Sequence, residues 1–181
     1  IGMTNVDYES IDDFKDVWVK NNAPALLKKY PLELVFRHLR RTSRDNARTP
    51  MQWTDEVYAG FSTVEPIQKI NRNRSWLNVE AQEKDEQSIL NHYRRLIHLR
   101  KNPEYLETLV FGDFSLLDPK HPDVYAYTRT SNQKRITVIA NFRASTVQFE
   151  HQAKALCLSN YLDTKLTITE LRPYEAIMFE E

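Results

Sequence analysis

Glycine is scarce in this chain: three residues in 181, which leaves no room for a glycine-rich loop of the kind that cradles phosphate. A single cysteine, Cys157, excludes an internal disulfide and fits a reducing compartment. Charge of one sign is not in excess either. Lysine plus arginine equal aspartate plus glutamate at 25 each, so there is no field drawing the chain to nucleic acid or an acidic membrane. No apolar run is long enough for a membrane span, so no membrane partner is expected. The five histidines show no metal-ligand spacing, and no metal or cofactor is expected. What remains, 41% hydrophobic and 28% charged, is the make-up of a globular chain.

Hydrophobic periodicity divides that chain. Leu32, Val35, Phe36 and Leu39 recur at helical spacing behind Pro31, and Ile11 to Val19 predicts a shorter helix. From Asp85 to Asn102 the pattern is strongly helical, with Ile89, Tyr93, Leu96 and Arg100 on one stripe and Pro103 as terminator. Beyond it the period falls to two. Strands are predicted at 109–117, 124–129, 135–142, 146–150, 155–159, 165–171 and 176–180, separated by turn clusters such as Ser131-Asn132-Gln133. Short strands at that spacing imply an antiparallel sandwich. The domain boundary is placed at Glu104, giving 1–104 and 105–181.

Between the helices lies the most telling segment. Ser43 to Trp53 reads Ser-Arg-Asp-Asn-Ala-Arg-Thr-Pro-Met-Gln-Trp, a concentration of hydrogen-bonding and stacking groups in a stretch without clean period. The stretch without period runs on from Ser43 to Val79, and connections of that length are usually functional or disordered. Ala59-Gly60-Phe61-Ser62, Asn71, Asn73, Asn78-Val79, the helical run Tyr93 to Lys101 and Leu171-Arg172-Pro173-Tyr174-Glu175-Ala176 follow. Together with Ile1-Gly2-Met3-Thr4-Asn5, these segments resemble bacterial α-glucosidases of the α-amylase superfamily: oligo-1,6-glucosidases, dextran glucosidases and trehalose-6-phosphate hydrolases. The pattern departs at Glu65-Pro66-Ile67, where relatives often carry Pro-Trp.

The resemblance implies an α+β chain, the helical end of a (β/α)8 barrel followed by an all-β antiparallel sandwich. A whole barrel takes roughly 250 residues, so the chain is expected to be the C-terminal part of a retaining α-glucosidase acting on short α-linked glucosides. Its catalytic carboxyls would lie upstream of Ile1, and this portion alone would be inactive. A trehalose-6-phosphate hydrolase, a sucrose-isomerising enzyme, or a non-catalytic carbohydrate-binding or supporting domain are the alternatives. An arginine of the loop helps build the glucose pocket in such enzymes, which nominates Arg44 first and Arg48 second for substrate contact. Arginine's planar fork suits paired hydroxyls or a carboxylate. The competing account is a local Asp45–Arg48 ion pair that merely pins the loop. Gln52 and Trp53 read as structural, and the five arginines between Arg37 and Arg48 as a solvated face. A cytoplasmic bacterial location follows from the resemblance. The stripe Leu32, Val35, Phe36 and Leu39 is expected to lack its barrel partners, so that the isolated chain self-associates through exposed helix faces.

Overall fold

The computed structural model describes residues 1–181, which form two compact units, Ile1–Asn91 and His92–Glu181. In the first, α1 (Val17–Leu27) and α2 (Leu32–Thr42) close a core of Val6, Tyr8, Phe14, Val19, Ala23, Val35 and Leu39. The predicted helix at Ile11–Val19 is displaced: a 3-10 turn spans Ile11–Asp13 and α1 begins only at Val17. Asp16 sets that start, because its carboxylate accepts the Trp18 N–H at 3.0 Å and so caps the first turn.

The α2 stripe corrects a second expectation. Val35 and Leu39 are buried and Phe36 packs against the same cluster, so three of the four residues find partners within this chain. Leu32 alone of that stripe stays exposed. Residues 6–14, which the periodicity did not mark, supply the missing surface through Val6, Tyr8 and Phe14, with the Tyr8 and Phe14 rings stacked at 4.3 Å.

After the loop region come α3 (Val79–Glu83), α4 (Ile89–Lys101) and α5 (Pro103–Leu106). α4 starts four residues later than the periodicity suggests. Asp85–Ser88 closes a turn, and the Ser88 hydroxyl accepts the Asn91 N–H at 3.2 Å as the cap. No residue of α4 is buried, and Ile89, Tyr93 and Ile97 are exposed.

The second unit is built from β1 (Asp113–Leu117), β2 (Val124–Thr130), β3 (Arg135–Asn141), β4 (Val147–Gln152), β5 (Ala155–Ser159), β6 (Thr167–Leu171) and β7 (Ala176–Glu180). Five strands form one antiparallel sheet in the order β1-β2-β3-β7-β5, and β4 pairs with β6 in a second. The register aligns Ala126, Ile139 and Ile177 across three strands. These residues, with Val124, Phe179, Ile168 and Leu171, form the core between the sheets. Each large side chain so buried contributes about 1.5–3 kcal/mol. Phe114 and Leu116 of β1 stay outside that core and are exposed, although alternation alone would allow either face to be the buried one. Their pairing with Arg129 and Tyr127 puts them on the opposite face from Ala126. The first predicted strand is also shortened, because Glu107–Phe111 forms a π-helical turn.

One ionic cluster ties the loops of the sandwich together. The buried Glu175 carboxylate accepts the Arg172 N–H at 2.8 Å and its guanidinium at 2.6 Å, and the Arg172 guanidinium also stacks 3.9 Å above Tyr161. Burial pushes the Glu175 carboxyl up, but hydrogen bonds from Arg172 and Thr164 and the Arg172 charge outweigh it and hold it below 4.5. Asp163 and Glu180 are lowered in the same sense by Arg172 and Lys134. A depressed folded value gives stability that is complete above the unfolded value of 4.5 and is lost as pH falls through the folded one. Melting temperature of the sandwich, followed by circular dichroism, is therefore expected to drop on acidification below that point, and less steeply in Glu175→Gln. A profile identical in the two proteins would remove Glu175 from the account.

Candidate substrate-binding loop

Ser43 opens the loop as a cap: its hydroxyl accepts the Asp45 N–H at 3.2 Å, and residues Arg44–Ala47 make one 3-10 turn. This turn throws Arg44 and Arg48 outward. Both are exposed, and neither side chain makes an ion pair or hydrogen bond. The Asp45–Arg48 ion pair does not form.

Asp45 has a different task. It is fully buried, with one carboxylate oxygen accepting the N–H groups of Lys15 and Asp16 at 2.7 and 2.9 Å. Its other oxygen accepts the Gln68 side-chain amide at 2.8 Å. Asp16 answers in kind, accepting the Arg44 N–H at 3.3 Å while it caps α1. Two carboxylates thus exchange backbone bonds between the start of α1 and the loop, and Gln68 adds a third segment. Burial and the nearby charges of Asp45 and Asp13 push the neighbouring Tyr8 phenol up to about 12, so it stays neutral. The loop backbone is fixed from below, and the two guanidinium forks are left free above it.

The other motif residues are joints of this scaffold. Gln52, fully buried as expected, donates to the Asn73 side chain at 3.2 Å and to the Leu77 carbonyl. Its own carbonyl accepts the Val79 N–H at 2.9 Å. Asn71 and Asn73 both donate to the Thr4 hydroxyl, at 3.1 and 3.0 Å, which fastens the opening segment to the loop. Asn78 caps α3 by accepting the Ala81 N–H at 2.8 Å. Apart from the local Asn78 cap, these amides bond partners 21 to 69 residues away, so local patterning could flag them as unusual but not say what they hold. Trp53 differs from the structural expectation, since its ring is half exposed.

Elsewhere, Phe114, Tyr127 and Tyr125 form a row with ring centroids 5.3 and 5.6 Å apart, tilted by 33° and 49°. They line a groove of about 590 Å3 with Tyr93, Leu96 and Ile97. The rings are not coplanar, as a flat sugar-stacking strip would require, and the sandwich is better suited to support than to binding.

Residues 1–108 match the family model "Alpha amylase, catalytic domain", and residues 114–165 match "Maltogenic Amylase, C-terminal domain". The chain is 37% identical to an oligo-1,6-glucosidase of Bacillus cereus over 99% of its own length and 34% of that protein's. An α-glucosidase of Candida albicans is 35% identical, with 99% and 33% covered. Among solved structures, isomaltulose synthase from Klebsiella sp. LX3 superposes with a TM-score of 0.90 at 32% identity, covering 99% of this chain and 33% of the other. Trehalulose synthase from Pseudomonas mesoacidophila MX-45 gives 0.88 at 31% identity, with 99% and 34% covered. The chain therefore spans about a third of the length of the relatives it matches.

Proposed function

The chain belongs to the α-amylase family, and on that premise we propose that it forms the C-terminal third of a retaining α-glucosidase hydrolysing short α-linked glucosides. Residues 1–104 are the end of the catalytic barrel and 105–181 the supporting sandwich. A retaining enzyme needs a carboxylate nucleophile and a carboxylic acid about 5–5.5 Å apart, and in this reading the preceding part of the polypeptide supplies both. The present residues supply one wall of the glucose pocket, with Arg44 and then Arg48 as the sugar-contacting groups. One observation carries this: two unpaired guanidinium forks on a turn whose backbone is locked by the buried Asp45. Pre-set donors of that kind orient a substrate without being ordered at the moment of binding.

A sucrose-isomerising parent is the second reading, favoured by the superposition on two such synthases. A cytoplasmic location is consistent with the single thiol. Self-association of the isolated chain is supported by exposed Tyr93 and Ile97 on α4.

The test is direct. The 181-residue chain alone should not turn over isomaltose or an aryl α-glucoside, because the acid and nucleophile are not among its residues. Joined behind the N-terminal two thirds of the Bacillus cereus oligo-1,6-glucosidase, in place of the matching third, it should support hydrolysis. Sustained turnover by the chain alone after repurification, or a folded but inert chimaera, would overturn the proposal.

A further inference from the structure

Exposure by itself singles out no tryptophan here: Trp18 is 48% exposed, Trp53 49% and Trp76 67%. What sets Trp53 apart is how it is held. Its backbone N–H donates to the Ala59 carbonyl at 2.9 Å, the following Thr54 N–H reaches the same oxygen at 3.2 Å, and its backbone carbonyl accepts the Glu80 N–H at 3.0 Å. Ala59 is fully buried beneath it. The backbone that brings Ala59 there is strained. Tyr58, Ala59 and Gly60 have φ of 58°, 57° and 63°, three consecutive left-handed residues of which only the glycine adopts that region freely.

A chain reversal with no further duty would place glycine or asparagine at such positions. Non-glycine residues persist there when surrounding structure enforces them, and such outliers cluster at ligand sites. Gly60 also presses on the platform. A Cβ there would stand 2.8 Å from the Thr54 hydroxyl and 3.4 Å from the Trp53 Cβ. The result is a half-exposed tryptophan whose backbone is tied on both sides and whose indole N–H has no partner, five residues from Arg48. Phe61, exposed, follows the turn directly. Polar Thr54, Asp55 and Glu56 follow Trp53 in the chain, which suits a hydroxylated ligand better than a dry apolar one.

We propose that Trp53, propped by the left-handed turn Tyr58–Gly60, is a stacking platform for a glucosyl unit of an oligosaccharide, beyond the unit held by the arginines. The apolar C–H face of a pyranose lies on the indole, and the free N–H donates to a hydroxyl. The inference rests on the glucoside-processing reading above.

The experiment is an NMR titration of the 181-residue chain with isomaltotriose, following the three indole N–H signals. The Trp53 signal should shift saturably in the millimolar range while Trp18 and Trp76 stay fixed. Trp53→Ala should weaken binding about tenfold, and Trp53→Phe should restore most of it. Gly60→Ala, which leaves the ring in place chemically but disturbs its support, should weaken binding as well. A silent Trp53 signal, equal shifts at all three indoles, or a Trp53 shift that follows protein concentration instead of sugar would each overturn the platform. A silent Trp53 beside an active chimaera would sink this inference and leave the glucosidase reading standing. A saturable Trp53 shift beside an inert chimaera would support the platform while removing the enzyme reading.

Discussion

Asp45→Ala should destabilise the first unit by about 3–5 kcal/mol, because an unsatisfied buried donor costs about 1–3 kcal/mol and the substitution strands two backbone N–H groups at once. Those donors belong to Lys15 and Asp16 at the start of α1, and the bond from Asp16 is buried. The Gln68 amide loses its acceptor too. Asp45→Asn is the informative companion. It keeps one oxygen for the two N–H groups and turns an NH2 toward the Gln68 donor, so the loss should be about 1–2 kcal/mol. Urea unfolding read by tryptophan fluorescence suits the measurement, since Trp18, Trp53 and Trp76 all lie in the first unit. Stability within about 0.5 kcal/mol of the parent, the range of an ordinary surface change, would show that the loop is not anchored through Asp45.

The consequence for function is geometric. Arg44 and Arg48 gain nothing from local pairing, so their placement depends on what holds the backbone between them. Without Asp45 the 3-10 turn keeps the Ser43 cap, its own backbone bonds, the Arg44 N–H bond to Asp16 and the Asn46 amide bond to the Arg40 carbonyl, and loses its links to Lys15 and Gln68. A loop that wanders by an ångström places the forks wrongly for a sugar ring, and misplacement of that size costs rate as surely as deleting the side chain.

How much of this was legible in the amino-acid sequence depended on distance along the chain. The strands at Val124, Arg135, Ala155 and Ala176 were readable because alternation is local and both faces of the sheet differ. Phe114 and Leu116 mark the limit of that reading. Alternation says that two residues share a face, but only the register with Tyr127 and Arg129 says which face meets the second sheet. The α2 stripe is legible from its period, but its partners are not, because Val6, Tyr8 and Phe14 lie in irregular backbone with no period to announce them. In the loop, the residue types of Arg44 and Arg48 pointed outward to a ligand. Asp45 looked like a partner for Arg48 at a spacing of three, whereas its bonds reach Lys15, Asp16 and Gln68, all more than 20 residues away. The left-handed turn at Tyr58 and Ala59 was not legible at all, since neither residue type favours it.

Arg44→Lys in the chimaera puts the central claim to its hardest test, because lysine keeps the charge and removes only the planar fork. If Arg44 orients the glucose unit, kcat/KM for isomaltose should fall by about 100-fold, the scale of loss that a misplaced substrate produces. The fold should be untouched, as the Arg44 side chain bonds to nothing else in the chain and only its N–H engages Asp16. Kinetic constants equal to those of the unsubstituted chimaera would contradict the account and leave the loop a structural joint.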